Sequence, residues 1–350
     1  MAQSQNNYPK LHNSAWPGLV GKGAPGAEPG IMLDTLLKLT ASAEVNGQKF
    51  DGIDLFVVSP HFDINSDEGA VRKMSDHIAS YGLKVGSFVT PIWGNDGGGS
   101  AMGDADERKR FLSQVRKAAK IGQQMREIGI RPTGGIRVDS STSVDAWDQD
   151  PEGTKKIAET FREAGKIAQD HGEIIVAEGE ICWGGMHSWR ENVKLLEMVD
   201  MPGTVGYQAD MAHSMLFALG ANAEKDRLLP ADFEWSDKAA LDTAYHKVAD
   251  ALRPWTYDFH VAQNDGTTFG SGHHAATGRH SQVDDPNGRL DVTKHAGYWL
   301  RDEKGNLTKR MRHIAWDGCM FPNEVMERQD TWNKVLGQMI KVRDAHGWRE

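Results

Sequence analysis

Short apolar segments alternate with amphipathic ones along most of the chain, and this order constrains the fold more than any other feature. Seven segments have the length and the Val, Ile and Phe content of buried strands: residues 51–58, 83–90, 134–140, 173–180, 204–210, 256–262 and 312–318. Residues 15–20 (AWPGLV) supply the candidate for a first strand. About eight strands separated by helices, with no composition break that marks a linker, predict a single-domain (β/α)8 TIM barrel.

The segments between these strands have the apolar spacing of helices that bury one face. Residues 107–128 place Phe111 and Val115 on one side and Arg and Lys on the other. Residues 154–169 repeat the pattern, and Asp150-Pro151 before them predicts an N-cap followed by a first-turn proline. A last helix is expected from about residue 331 to residue 345, ending before a glycine.

A doubly wound open sheet shows the same alternation, but the glycine motifs of such sheets are missing. The sequence has no GxGxxG after its first strand and no GxxxxGK[ST]. The glycine-rich residues 94–103 follow the third strand, lack the lysine, and are interpreted as a loop over the strand ends. We therefore expect one barrel over residues 1–350, with a polar N-terminal segment (1–12) and a long insertion (265–311) before the last strand. Its histidines and arginine favour an active-site flap.

Composition excludes several classes of partner. The net charge of −9 over 350 residues argues against nucleic acid, which is bound through clustered Lys and Arg. No run of about 18 apolar residues predicts a membrane span. Two cysteines and the lack of a secretory signal favour a reducing compartment, so we expect a cytoplasmic protein.

Polar residues collect at the predicted C-terminal ends of the strands, where the loops of a parallel barrel form one shared mouth. In chain order they are His61 and Asp63, Trp93, Arg137 and Asp139, Glu178 and Glu180, Asp210 and His213, His260, and Asp317. Buried carboxylates from neighbouring strands repel each other unless a partner is bound. Asp, Glu and His are ligands for Mn, Mg, Co or Zn, so these residues predict one divalent cation.

The motifs EGE, DMAH, DFHVAQND and AWDG, in this order, resemble the xylose isomerase-like barrel superfamily of sugar isomerases and epimerases. The resemblance covers most of the chain, from DGIDLF to the final helix. It implies a metal held by Glu180, with Glu178 as the rival, together with Asp210, His260 and Asp317. It also implies a small-molecule carbohydrate as substrate. Barrels of this superfamily often pair, so a homo-oligomer is possible by analogy.

The reaction expected from this resemblance is isomerisation or epimerisation of a sugar or keto-sugar by α-proton abstraction. The metal would bind a carbonyl and a neighbouring hydroxyl and stabilise the enediolate. A carboxylate among Glu180, Glu178 and Asp317 would remove the proton, and His213 would contact a substrate oxygen or shuttle a proton. Expected contacts to substrate hydroxyls or ring faces are Arg137, His61, Trp93, Trp183, His187, Arg279 and His280.

Several residues also have structural interpretations. Asp210 alone could be a helix N-cap, and one of Glu178 and Glu180 could pair with Arg137 behind the ligands. The epimerases generally carry Glu after the last strand where this chain has Asp317, which weakens any assumption that this acid is a second base. The insertion is also long for a simple ketohexose epimerase.

Three alternative functions remain open at the level of sequence. A 3-oxo-glycoside lyase or a keto-inositol-type dehydratase would use the same proton abstraction. A non-catalytic sugar-binding barrel would need no reaction. An endonuclease IV-like DNA repair enzyme shares the barrel, but its three metals and basic face do not match one ligand set and an acidic chain.

Overall fold

Eight parallel strands form a closed barrel in the computed structural model, which describes residues 7–269 and 277–350. Each strand pairs with the next along the chain, and the last strand also pairs with the first, which closes the barrel. The strands are β1 (Lys10–Ser14), β2 (Gly52–Phe56), β3 (Lys84–Val89), β4 (Ile136–Val138), β5 (Ile175–Glu178), β6 (Val205–Asp210), β7 (Thr256–Val261) and β8 (His313–Trp316). The predicted fold class is confirmed.

The helices surround this barrel and bury their apolar faces against it and against each other. They are α1 (Leu33–Ser42), α2 (Glu68–Ser80), α3 (Ala105–Ile128), α4 (Val144–Asp148), α5 (Gly153–Asp170), α6 (Trp189–Val199), α7 (Met211–Leu219), α8 (Lys238–Leu252), α9 (Val292–Leu300), α10 (Asn323–Met326) and α11 (Gln329–His346). Phe111 of α3 stacks on Phe161 of α5 with ring centroids 6.1 Å apart, as the spacing of apolar residues predicts. Among the described helices, none combines the length and the apolar character that crossing a membrane requires.

The first strand is not where the sequence predicts it. Residues 15–20 form no strand; Trp16–Gly18 is a short 3-10 helix, and β1 lies just before it. The sequence KLHNS is polar, yet four of its five residues are buried because their polar groups find partners inside the barrel. Ser14 Oγ, for example, donates to the Trp316 carbonyl oxygen at 2.8 Å. The predicted polar N-terminal segment therefore includes part of β1, while its residues 1–6 lie outside the described residues.

Helix α5 begins later than the Asp150-Pro151 pair predicts. Its N-cap is Glu152, whereas Asp150 lies in the preceding turn and accepts a hydrogen bond from the Glu152 backbone N–H at 3.0 Å. Asp150 also forms an ion pair with Lys156 at 2.7 Å. The Asp-Pro pair thus marks the turn before the helix and not the first helical residue.

The long insertion before β8 is partly regular. Residues 268–269 pair antiparallel with residues 277–278, and helix α9 occupies its second half. The described residues after this pair return to the C-terminal end of the barrel. There Ser281 donates its backbone N–H to the carbonyl oxygen of Gln263 at 2.8 Å. The insertion therefore supplies the helix that follows β7 and a segment close to the strand ends.

A layer of polar side chains fills the barrel interior beneath those strand ends. His12 Nδ1 lies 2.8 Å from Asp54 Oδ1, and His313 Nε2 lies 3.3 Å from Asp54 Oδ2 and 3.6 Å from Asp258 Oδ1. Burial alone would raise the pKa of Asp54, but His313 and His12 lower it below its ordinary value. Burial lowers the pKa of His313, but Asp54 and Asp258 more than offset it, so the net pKa is raised. The histidines and the aspartates of this layer therefore offset each other's charge.

Gly86 of β3 makes room for this layer, and Gly86→Ala is expected to destabilise the protein. A Cβ there would overlap with Asp54 Oδ1 and would lie 2.6 Å from His12 Nδ1 and 2.8 Å from His313 Nε2. Overpacking of this kind should lower the free energy of unfolding by about 2 kcal/mol or more, measured by urea denaturation. Gly94→Ala is the control, because no described atom lies within 4 Å of its new Cβ. Equal unfolding midpoints for the two variants would contradict the prediction.

Candidate metal centre and active site

Four side chains from adjacent strands converge at the C-terminal end of the barrel. Glu178 and Asp210 are the last residues of β5 and β6, His260 lies in β7, and Asp317 follows β8 directly. The parallel register pairs Glu178 with Gln208, Asp210 with His260, and His260 with Ala315, so the four residues lie within two positions of their neighbours on adjacent strands. Their ligand atoms lie within 4.8 Å of one another, and all four residues are buried.

Asp210 is both a helix cap and a member of this group. Its Oδ1 accepts hydrogen bonds from the backbone N–H groups of Ala212 at 2.7 Å and His213 at 3.0 Å, which starts helix α7. Its Oδ2 lies 3.9 Å from His260 Nδ1 and 3.4 Å from His280 Nε2. The N-cap interpretation of Asp210 is therefore confirmed for Oδ1, while Oδ2 is the oxygen that lies near His260 and His280.

Asp317 is held by Trp16, a residue that the sequence did not identify. Trp16 Nε1 donates to both oxygens of Asp317 at 3.1 Å, and the Cys319 backbone N–H donates to Oδ1 at 2.7 Å. The Trp16 ring also contacts the His260 ring, with centroids 4.9 Å apart. These contacts fix the direction of the carboxylate, so Asp317 Oδ2 lies 3.7 Å from His260 Nδ1.

The four residues fit a divalent cation. His260 Nδ1 is 3.4 Å from Glu178 Oε1, and neither atom has a hydrogen-bond partner within the described part of the chain; the same holds for His260 Nε2. Unpartnered polar atoms this deeply buried are costly. A donor set of three carboxylates and one imidazole is typical for Mn, Mg, Co or Zn, and a cation among these atoms would satisfy them.

Charge within the group shifts the pKa of each member. Burial lowers the pKa of His260, but Glu178, Asp317 and Asp258 raise it to about 10. Burial raises the pKa of Glu178, and Arg137 and His260 reverse this, so the net pKa lies below its ordinary value. The carboxylates around His260 thus raise its pKa by more than burial lowers it. A cation that binds His260 would compete with a proton for the ring nitrogen.

Arg137 organises the carboxylates beside the centre. Its Nε donates to Glu178 Oε2 at 2.6 Å, Nη1 to Asp139 Oδ2 at 2.7 Å, and Nη2 to Glu180 Oε1 at 2.5 Å. Glu180 Oε2 accepts a further bond from Thr277 Oγ1 at 2.6 Å. The geometry thus favours Glu178 for the metal position, the reverse of the order expected from the sequence. Strand β5 ends at Glu178, and Glu180 turns toward Arg137 and the insertion.

A narrow cleft opens over this group. The residues expected to form the site that line it are Trp93, Arg137, Glu178, Glu180, His213, His280 and Asp317. Asp210 and His260 are fully buried beside them. Trp93 donates its Nε1–H to Asp139 Oδ2 at 3.1 Å, which orients its ring in the cleft wall.

Four expected substrate contacts are not among the residues that line this cleft. His61 Nε2 lies 2.7 Å from the Ile31 carbonyl oxygen, and His187 packs edge-on against Trp147 at 4.8 Å. Trp183 donates to Glu180 Oε1 at 3.4 Å from outside the cleft. Arg279 is half-exposed and forms an ion pair with Asp265. The structure gives no support for a direct role of these four in substrate binding.

Two cleft residues, Trp16 and Thr277, escaped the sequence interpretation. Trp16 lies two residues after β1, but that strand was itself assigned to the wrong segment. Thr277 lies in the insertion, 97 residues from Glu180, whose carboxylate it contacts. A correctly placed first strand would have shown Trp16 to lie near the strand ends and so near the site. No feature of the sequence would have indicated Thr277.

Comparisons with known proteins identify the family. The model of the family described as xylose isomerase-like TIM barrel matches residues 41–298. No curated protein matches the chain. Solved structures share the fold at low identity: a xylose isomerase-like TIM barrel protein from Mycobacterium smegmatis in complex with magnesium superimposes with a TM-score of 0.59 and 11% identity, over 97% of this chain and 98% of that one.

Two enzymes are among the other similar structures. The 3-keto-D-glucoside 4-epimerase from E. coli, in its apo form, has a TM-score of 0.54 and 14% identity over 95% of this chain and 100% of its own. The probable 3-DHS dehydratase of petrobactin synthesis from Bacillus anthracis has a TM-score of 0.52 and 12% identity, over 94% and 98%. At these identities they show the fold alone. With its family match over most of its length, the chain belongs to the xylose isomerase-like TIM barrel family.

Proposed function

We propose that this protein is a divalent-metal-dependent isomerase or epimerase that acts on a sugar or keto-sugar. The observation that carries the proposal is the convergence of Glu178, Asp210, His260 and Asp317, in which Glu178 Oε1 and both ring nitrogens of His260 are buried without a hydrogen-bond partner among the described residues. When bound there, a divalent cation would polarise a substrate carbonyl and acidify the neighbouring C–H. The epimerase among the similar structures is consistent with this reaction class.

Glu180 is the proposed base for the α-proton. It lines the cleft, whereas Glu178 belongs to the four-residue centre. Arg137 and Thr277 hold its two oxygens in place, at 2.5 and 2.6 Å. His213 Nε2 lies 3.9 Å from Glu180 Oε2, within reach of a proton passed through a substrate hydroxyl.

Asp317 lines the cleft as well, and as a member of the four-residue centre it would hold the cation at the side that faces the substrate. The indole rings of Trp16 and Trp93 in the cleft wall offer apolar faces for sugar C–H groups.

The test is exchange of substrate protons with solvent. The Mn²⁺-loaded protein is incubated in D₂O with free ketoses, aldoses and 3-oxo-glycosides, and NMR follows loss of the α-proton signal and the product formed. An epimer or isomer supports the proposal, and a released aglycone or an alkene assigns the lyase or dehydratase reaction instead. Glu180→Gln should slow exchange by about 10²–10⁴-fold while the cation stays bound. Loaded protein that exchanges no member of the panel would point to a non-catalytic sugar-binding barrel.

A further inference from the structure

Asp258 is a buried carboxylate beside the candidate centre that the proposed reaction does not use. It lies two residues before His260 in β7, so the two side chains share the inner face of the strand, and it is almost fully buried. The donor atoms of Asp54, Asp258 and His260 lie within 4.8 Å of one another. The polar layer of the barrel interior is therefore contiguous with the centre.

The two carboxylate oxygens of Asp258 differ in how far they are engaged. Oδ2 accepts from Ser87 Oγ at 2.5 Å and from Gln208 Nε2 at 2.6 Å. Oδ1 accepts from the Phe259 backbone N–H at 3.0 Å, and His313 Nε2 lies 3.6 Å from it, beyond hydrogen-bond distance. Neighbouring strands thus fix the direction of this carboxylate, while Oδ1 can still accept a second hydrogen bond.

The histidines of the polar layer serve Asp54 better than Asp258. Asp54 lies 2.8 Å from His12 Nδ1 and 3.3 Å from His313 Nε2. Among the described histidines of the layer, Asp258 is paired with His313 alone, which it shares with Asp54. A buried carboxylate gains from a further N–H donor, and the imidazole of His260 lies close enough to supply it.

The two ring nitrogens of His260 have different surroundings. Nδ1 lies between 3.4 and 3.9 Å from a carboxylate oxygen of each other member of the four-residue centre. Nε2 is buried and has no hydrogen-bond partner among the described residues. When one ring nitrogen of a histidine binds a cation, the other carries the proton and commonly donates it to a carboxylate, which fixes the tautomer and the ring orientation. In His260 the nitrogen left for that hydrogen bond is Nε2.

We propose that Asp258 is a positioning residue of the candidate centre: it accepts the Nε2–H of His260 and so presents Nδ1 to the cation. The inference rests on the proposed function, because it takes the centre as the place where a cation binds. The two groups are adjacent in the structure, and the hydrogen bond is the feature that we assign to the cation-bound state. Asp258 would act through His260, without touching the cation or the substrate.

Affinity for a cation tests this role independently of activity. Protein stripped with a chelator is titrated with Mn²⁺, and the EPR signal of the free ion gives the affinity. Asp258→Asn should lower the affinity by about 10–100-fold, as loss of an outer-shell partner of a ligand histidine does. Asparagine cannot replace the carboxylate, because Ser87 and Gln208 would hold its amide oxygen at the place of Oδ2 and leave its NH₂ group at the place of Oδ1.

His12→Gln is the matched control, because it disturbs a hydrogen bond to Asp54 in the same layer and leaves Asp258 unchanged. Both variants should be less stable than wild type in urea, but only Asp258→Asn should lose affinity for Mn²⁺. If Asp258→Asn fails to fold by circular dichroism, Ser87→Ala replaces it, because it removes one hydrogen bond that orients Asp258. A smaller loss of affinity in the same direction is then expected.

The ring proton of His260 gives a second readout, which a merely structural role of Asp258 would not move. In Zn²⁺-loaded protein labelled with ¹⁵N-histidine, NMR should show the Nε2–H as a downfield, slowly exchanging signal. This signal should move upfield in Asp258→Asn but not in His12→Gln.

Either an unchanged signal or an affinity equal to that of the control would overturn the inference and leave the proposed function intact. If both results are as expected but no substrate proton exchanges, the proposed reaction alone is refuted. Wild-type protein that binds no cation would overturn both.

Discussion

Asp210→Ala is expected to lose the proposed cation and all measurable activity, and to weaken the start of helix α7 as well. One carboxylate oxygen would bind the cation, and the other accepts from the backbone N–H groups of Ala212 and His213. Loss of a ligand should lower the affinity for the cation by more than about 100-fold, beyond the effect of removing an outer-shell partner. Loss of the cap should cost about 0.5–2 kcal/mol of stability. Metal analysis and urea denaturation measure the two effects.

Asp210→Asn separates the two roles. The amide oxygen can still accept the cap hydrogen bonds, whereas the carboxylate charge is gone, so metal loss should persist and most of the stability should return. Asp237→Ala removes the N-cap of helix α8, where the side chain accepts from the Ala240 N–H at 2.9 Å, and gives the cost of a cap alone. An Asp210→Ala protein that keeps a full complement of metal would refute the ligand assignment.

Arg137→Met should have the largest effect on stability. The guanidinium is buried and donates to three buried carboxylates, which would be left without their common cation. Breaking a buried ion pair by removing one partner costs about 3–5 kcal/mol, and here three partners lose it. Lysine keeps the charge but not the planar fork, so Arg137→Lys should fall between methionine and wild type. Thermal or urea unfolding of the metal-free proteins measures the difference.

Lowering the pH should reduce the loss of stability that Arg137→Met causes. Arg137 lowers the pKa of Glu178 against the effect of burial, so the stability that this carboxylate contributes is present above its unfolded pKa and is lost as pH falls through its folded pKa. The gap between wild type and Arg137→Met should therefore narrow below about pH 4. Arg108→Met, which removes a partly exposed arginine 3.7 Å from Glu159, should cost about 1 kcal/mol or less. Similar losses in both variants would contradict the assignment.

The barrel could be predicted because seven of its strands contain enough Val, Ile, Leu and Phe to be recognised as apolar segments of strand length, even where an inward residue such as Asp54 or Asp258 is polar. Strand β1 could not, because Leu11 is the only apolar residue in KLHNS. His12 is buried only through Asp54, 42 residues later, and Ser14 only through the Trp316 carbonyl, 302 residues later. A local pattern carries no information about partners so distant. The neighbouring AWPGLV segment, more apolar but bent at its proline, gave the stronger false signal.

The arrangement of the candidate residues could be predicted only in part. Acids and histidines at strand ends pointed to Asp210, His260 and Asp317, which the structure brings together, because barrel geometry places such ends side by side. The order of Glu178 and Glu180 depended on where β5 ends and on which carboxylate Arg137 and Thr277 draw aside. The positions of His61, His187 and Arg279 depend on the paths of loops. The alternation of side chains along a strand does not determine those paths.

The two oxygens of Asp210 would also affect how long a cation stays at the proposed centre. Because Oδ1 holds the first turn of α7 and Oδ2 faces the centre, the carboxylate could not rotate away from a cation without losing its hydrogen bonds to Ala212 and His213. Dissociation would then be linked to fraying of a buried helix end, a slow local opening. We therefore expect a cation bound here to exchange slowly, over times set by the motion of a helix as well as by bond strength.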